Sequence, residues 1–355
     1  LWFVWSKAAS PVVQAQVRQW LAQTALEAQS TEFGATRVAA YDLKPNQLGR
    51  LEPLRVELNG IFALLGVSAS RLGRTAQVGV RWQALTPASP AYSFTLQLID
   101  ASGAVWQVGG GVIQDDAQFP TPRWANGQVA EQLVDLKLPD EAPPGRYRVR
   151  VSIDQADGQR VGLFSAAGTF SGTAPVLAAL DLPALAKPLT TLGRSLEYPF
   201  TYNWADQIEV LGFDSGPGVV INGDLWTVDV LWRSRATTLP ALGVLWEVRD
   251  QANHKIFSTR LPLSSYSTAL WRAGEVIGTR YTLRFPVEMT RADYQVWLGV
   301  TAPDGSLLPG GLFKPFDVRL LERERSFTVP VSPTLKVVFD DPAINFIGAQ
   351  FPTGD

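Results

Sequence analysis

From about Glu52 onward, apolar and polar residues alternate. Val78, Val80, Trp82 and Ala84 interleave with Gly79, Arg81 and Gln83. Phe94, Leu96 and Leu98 interleave with Thr95 and Gln97, and Tyr147, Val149, Val151 and Ile153 with Arg148, Arg150 and Ser152. A period of two puts one set on a dry face and the other on a wet face, the pattern of antiparallel sheets with one solvated side. Turn signals separate the runs: Asp100-Ala-Ser-Gly103, Pro143-Pro-Gly145 and Asp157-Gly158. Roughly seven short strands at this spacing predict a β-sandwich, immunoglobulin-like or jelly-roll.

The pattern is written twice. Trp124 matches Trp271, Gly127 matches Gly274, Pro139 matches Pro286, Tyr147 matches Tyr294, and Asp157-Gly158 matches Asp304-Gly305, all at one offset (271 − 124 = 147). Upstream, Val78, Val80 and Trp82 correspond to Val228, Val230 and Trp232, and Leu96 to Trp246, at an offset of 150 (246 − 96 = 150). A three-residue length difference therefore lies between Asp250 and Trp271, in a loop or strand edge. The dry phase assigns Phe94, Leu96, Leu98, Val149, Val151, Trp232, Trp246, Val296 and Leu298 to the cores.

The fold class expected is thus mainly β: tandem antiparallel sandwiches preceded by a small α/β piece. Residues 1–45 read as strand–helix–strand. LWFVW is an apolar strand, Ser10-Pro11 opens a helix with Val13, Val17, Trp20 and Leu21 on one face, and Gly34 precedes a strand at Thr36–Leu43. Residues 46–172 form the first sandwich, 173–202 a Pro- and Leu-rich connector, and 203–331 the second sandwich. Residues 332–355 start a third, incomplete one, because Asn345-Phe-Ile-Gly348 copies Leu64-Leu-Gly66 and Val210-Leu-Gly212. Both ends read as cut from a longer polypeptide.

Composition narrows the chemistry. Net charge is −2 over 355 residues, so no strongly basic field recruits nucleic acid. Cys is absent, which removes disulfides, thiolate metal sites and cysteine nucleophiles. The single histidine, His254, follows Asn253, which stands where the first repeat has the turn glycine Gly103. It is expected on an exposed hairpin tip rather than in a catalytic triad. Gly109-Gly110-Gly111 reads as a bulge or bend, not a dinucleotide loop. Asp115-Asp116 and Asp140-Glu141 could serve as a glycosidase pair, but they read better as solvated loop charge. No catalytic residue, metal site or cofactor is assigned.

The tryptophans remain. Trp82, Trp232 and Trp246 are core by phase. Trp124 and Trp271 recur in both units, which favours a framework role. Trp297 falls on the wet phase, aligned with Arg150, and suggests a contact surface. Trp297, with the loops around Trp124 and Trp271, is the candidate surface for a glycan, a neighbouring sandwich or the connector.

The run FTLQLIDASG, then PTPRWANGQV, LPDEAPPGRYRVRV and DGQRV, resembles a bacterial β-sandwich module. That module is attached to multi-pass membrane glycosyltransferases similar to the dolichyl-phosphate-mannose–protein mannosyltransferase group. LWFVW…VRQWL…TRVAAYDL is similar to the short α/β region that follows the membrane helices in those proteins. The resemblance covers most of residues 1–170 and, more weakly, 203–355. It implies an extracytoplasmic location, tethering through an upstream membrane domain of the same polypeptide, and a glycan or cell-envelope protein as partner. The family's catalytic acid lies in the membrane part, so the resemblance places no catalytic residue here. Two functions follow: a non-catalytic accessory region of such an enzyme, or an independent carbohydrate-binding or adhesive surface protein.

Overall fold

The computed structural model describes residues 2–6, 17, 25–33, 36–43, 52–58, 60–86, 91–114, 119–165, 167–215, 218–323, 337–338 and 345–346. Strands β1 (Trp2–Ser6), β2 (Ala25–Phe33) and β3 (Thr36–Leu43) make an antiparallel sheet in the order β1-β3-β2. Of the expected helix only Val17 lies among the described residues, and it is helical. Strand β2 is a correction to the strand–helix–strand expectation. It pairs with β3 across the Gly34 turn, so the piece is a hairpin plus β1.

The first sandwich contains β4 (Glu52–Leu58), β5 (Phe62–Leu72), β6 (Thr75–Ala84), β7 (Tyr92–Ile99), β8 (Val105–Val112), β9 (Val129–Lys137) and β10 (Gly145–Gln155). The short β11 (Leu163–Ser165), β12 (Phe170–Gly172) and the longer β13 (Val176–Leu182) complete it. Its sheets run β12-β11-β4-β5-β6-β9 and β13-β10-β7-β8. The second contains β14 (Tyr198–Trp204), β15 (Ile208–Ser215), β16 (Val219–Ile221), β17 (Leu225–Ser234), β18 (Gly243–Arg249) and β19 (Lys255–Pro262). Strands β20 (Val276–Arg284), β21 (Ala292–Thr301) and β22 (Leu307–Leu321) follow. Its sheets run β14-β15-β17-β20 and β16-β22-β21-β18-β19.

The central orders match: β4-β5-β6-β9 with β14-β15-β17-β20, and β13-β10-β7-β8 with β22-β21-β18-β19, while β11, β12 and β16 are additions at the edges. Counting β5 as A, the first sandwich has A-B-E on one sheet and G-F-C on the other, with the strand after C paired to C. This is an immunoglobulin-type order rather than a jelly roll. The tyrosine corner agrees: Tyr147 at the start of the F strand donates its hydroxyl to the Pro143 carbonyl at 2.8 Å. Tyr294 does the same to Thr290 at 3.0 Å. Register repeats too. Trp82 faces Ala130 and Trp232 faces Ile277, while Val149 faces Leu98 and Val296 faces Val248.

Each sandwich has its own core. Trp82, Trp232 and Trp246 are fully buried, as are Leu96, Leu98, Val149, Val151, Val296 and Leu298, with Phe94 nearly so. The 173–202 connector is shorter than expected. Val176–Leu182 is the edge strand β13 on β10, and Tyr198–Trp204 is the edge strand β14 on β15. Beyond the second sandwich, Val337–Val338 pairs with Asn345–Phe346; the rest of the expected third unit lies outside the described residues.

Candidate functional site: the groove between the sandwiches

The two sandwiches meet through the β7–β8 hairpin of the first and the outer face of β17 and β20 of the second. Asp100 organises the hairpin. Its Oδ1 accepts from the Ser102 N–H at 2.9 Å, the Ser102 hydroxyl at 2.5 Å and the Ala104 N–H at 3.1 Å. Its Oδ2 accepts from Trp106 Nε1 at 3.0 Å and, across the interface, from Ser265 Oγ at 2.9 Å. Asp100 is buried, and all five donors converge on its charge, which repays the desolvation that burial costs.

Arg280 closes the contact from the other side. It forms a two-pronged ion pair with Asp229, its neighbour across the β17–β20 ladder, which holds its guanidinium above the ordinary range. It also donates to the Val105 carbonyl and lies over the Trp106 ring at 5.4 Å from its centroid, inside the limit of about 6 Å for a cation–π contact. Gly278 permits the approach. Its N–H donates to the Glu141 carbonyl at 2.7 Å, and a Cβ at this position would sit 3.1 Å from the Glu141 side chain and 3.4 Å from Trp106. Arg194 bridges Glu141 of the first sandwich and Asp214 of the second. Glu141 is buried, which corrects its reading as solvated loop charge. The connector docks as well: the Val276 N–H donates to the Leu189 carbonyl, and Arg272 to the Ala186 carbonyl.

Beside this contact the units enclose an open groove of about 1190 Å³. One wall is the hairpin and Arg150; the other is Leu225, Thr227, Arg280 and Thr282, with the 261–268 segment at its end. The three-residue length difference falls in that segment. Ile113 and Leu263 are buried equivalents, as are Thr121 and Thr268, but the paths between them are eight and five residues (121 − 113 = 8; 268 − 263 = 5). The shorter loop carries Ser264, Ser265 and Ser267 into the groove.

The sequence-predicted surface divides. Trp124 and Trp271 are 2% and 3% exposed, and each donates its indole N–H to a carbonyl five residues upstream, Phe119 at 2.9 Å and Tyr266 at 3.1 Å. Thr121 and Thr268 repeat in the same way, accepting the N–H of Tyr92 and of Leu242. These are framework parts, so both tryptophans leave the candidate surface. Trp297 is half-buried on the outer face of β21. Arg249 covers its ring at 5.1 Å, and its Nε1 donates to Gln295. His254 lies on the exposed tip, after Asn253 with φ 68°, as Ala104 follows Gly103 with φ 89°. Its backbone N–H, and then its ring, hold the Asp250 carboxyl below the usual range. Asp115-Asp116 lie outside the described residues. Among the described residues no group of three or more His, Cys, Asp or Glu side chains could hold a metal ion. No helix among them is long and apolar enough to cross a membrane.

No local sequence pattern marks the groove as a site. Arg150 aligns with Trp297 in the repeat, and among the described residues its guanidinium has no hydrogen-bond or ion-pair partner.

No family model and no curated protein matches this sequence. Among solved structures it is similar to the C-terminal domain of wzt, at 13% identity and a TM-score of 0.29 over 38% of this chain and 92% of that one. It is also similar to the CARDB domain of the PF1109 protein from Pyrococcus furiosus, crystallised with di-metal ions, at 12% identity and 0.21 over 37% and 100%. Red sea bream transglutaminase is similar at 9% identity and 0.21 over 72% and 31%. The chain is a mainly β protein of tandem antiparallel sandwiches.

Proposed function

We propose that this chain is a non-catalytic, extracytoplasmic contact region of a membrane-bound glycosyltransferase-like protein. One observation carries the reading. The polar groups that the two units share (Tyr147 and Tyr294, Thr121 and Thr268, Trp124 and Trp271) are all spent on internal hydrogen bonds. What is left for a partner is the surface that differs between units, and that surface includes the groove they form together. The sequence resemblance supports the parent enzyme class and the location. Incubating the chain with lipid-linked sugar donors and with simple glycosides tests it. The expected result is no turnover. Turnover that disappears on Asp115→Asn, Asp116→Asn or Glu141→Gln overturns it.

The second reading, an independent carbohydrate-binding surface protein, is favoured by the hydroxyls and guanidinium that face the groove. The polypeptide encoded upstream of Leu1 separates the two. About ten hydrophobic spans support the first, and a cleavable signal peptide the second.

A further inference from the structure

We propose that the outer face of β10 and the groove beside it bind a linear acidic glycan, a chain of hydroxyl-rich units bearing carboxylate or phosphate. This rests on the contact reading and names its ligand.

Arg146, Arg148 and Arg150 occupy alternate positions of β10, so they share one face, about 6.5–7 Å apart along the strand. That face points away from the core, since Tyr147, Val149 and Val151 take the other phase and are buried. Among the described residues none of the three forms an ion pair. Arg148 makes one long contact, 3.5 Å to the Asp100 carbonyl, and Asp181 stands opposite Arg146 in register. The row ends in the groove, where Arg150 is half-buried. The residues that wall the groove include no Asp or Glu. Two carboxylates on the strands and hairpin that wall it are already engaged, Asp100 by its five donors and Asp229 by Arg280. Arg150 therefore brings an uncompensated positive charge into a part-enclosed space, where an anion gains more than on an open surface.

The rest of the lining sets the other half of the chemistry. Gln107, Thr227, Ser267 and Thr282 offer groups that both donate and accept, suited to sugar hydroxyls. Leu225 and Val108 are exposed there and offer apolar surface for the C–H faces of a ring. A guanidinium takes carboxylate or phosphate through the same paired N–H groups, so either anion fits. The second sandwich lacks the row: Asp293, Gln295 and Trp297 stand where the first has Arg146, Arg148 and Arg150 (293 − 146 = 147).

The test titrates the 355-residue chain with trigalacturonate, a glycerol phosphate trimer, maltotriose and a short oligothymidylate, by calorimetry at low and moderate salt. The expected result is binding of trigalacturonate or the glycerol phosphate trimer, weakened by salt, with the stronger of the two identifying the anion. Arg150→Gln should reduce that affinity about tenfold or more, while Arg291→Gln on the second sandwich leaves it unchanged. Circular dichroism of Arg150→Gln should match the parent. Failure of both acidic probes to bind, equal binding of maltotriose or oligothymidylate, or full affinity in Arg150→Gln overturns the proposal. Loss of binding with no turnover of sugar donors would still leave the contact reading intact.

Discussion

The β7–β8 and β18–β19 hairpins are one element in two settings. Both open with an aspartate that accepts backbone N–H groups of its own turn, Asp100 from Ser102 and Ala104, Asp250 from His254. In the first sandwich the tip is docked. Trp106 is 6% exposed and Asp100 3%, with Ser265 and Arg280 of the second sandwich upon them. In the second the tip stands free: Ile256, which replaces Trp106, is 47% exposed, and His254 replaces Ala104. The receiving face differs in parallel. Gly278 and Arg280 on β20 stand where β9 has Glu131 and Leu133 (278 − 131 = 147). Glu131 pairs with Arg81 and covers its own sheet, whereas Gly278 leaves room for Glu141 and Trp106. The scaffold is held constant, and a handful of outward side chains decide which faces join.

The largest expected effect concerns the cores. Trp246 is fully buried where the first sandwich has Leu96, and Trp246→Ala should cost about 3–5 kcal/mol in denaturant titration. Its Nε1 has no hydrogen-bond partner among the described residues, so Trp246→Phe, which removes that buried donor, should cost less than half as much. A loss below about 1 kcal/mol for the alanine variant would break the inward assignment.

Next comes the hairpin pair. Asp100→Ala strands donors in a buried site and should cost about 2–3 kcal/mol by the same titration. Asp250→Ala, on an exposed tip, should lower the midpoint far less than Asp100→Ala does. The sign in pH is fixed for Asp250: its folded-state carboxyl is held low, so its contribution is full above the ordinary aspartate range and lost as pH falls through the lower folded value. Equal losses in the two alanine variants would erase the docked-versus-free distinction. Gly278→Ala should follow at about 1–2 kcal/mol of overpacking. Small-angle scattering should show the two sandwiches further apart. An unchanged scattering curve would mean that the close approach of β20 to Glu141 does not set the docking.

Residues whose state depends on their own strand were readable. Trp82, Trp232 and Trp246 follow from period two, and His254 from its place after a left-handed turn residue. Two edge strands were not. Val176–Leu182 lacks alternation and is flanked by Pro175 and Pro183, so it reads as connector. Tyr198–Trp204 contains Pro199, tolerated there because β14 is an edge and its ladder shifts register between Pro199 and Tyr202. The burial of Glu141 and the exposure of Arg150 to the groove depend on where the other sandwich sits, and no local pattern carries that. Gly278 is a strand glycine whose meaning lies in the contact itself, since a Cβ there would meet Glu141 and Trp106 of the other sandwich.

The smallest expected effect compares Arg150 with the residues around its equivalent, Trp297. The second sandwich closes this position with its own side chains. Trp297 lies across the ladder from Glu247, Arg249 stacks on its ring at 5.1 Å, and Arg249 also bonds Glu247 at 2.7 Å and Asn253 at 3.0 Å. Arg249→Lys keeps a cation for Glu247 but loses the flat guanidinium that stacks. It should cost about 0.5–1 kcal/mol and raise the access of acrylamide to one tryptophan. Trp297→Phe in the same background should remove that extra quenching. Among the described residues Arg150 has no such partners, so Arg150→Gln should leave stability unchanged while it weakens anion binding. If Arg150→Gln destabilised the chain as much as Arg249→Lys does, Arg150 would have a structural job. The two faces would then be equivalent after all, each closed by its own sandwich, and the groove would have no unspent charge with which to hold a ligand.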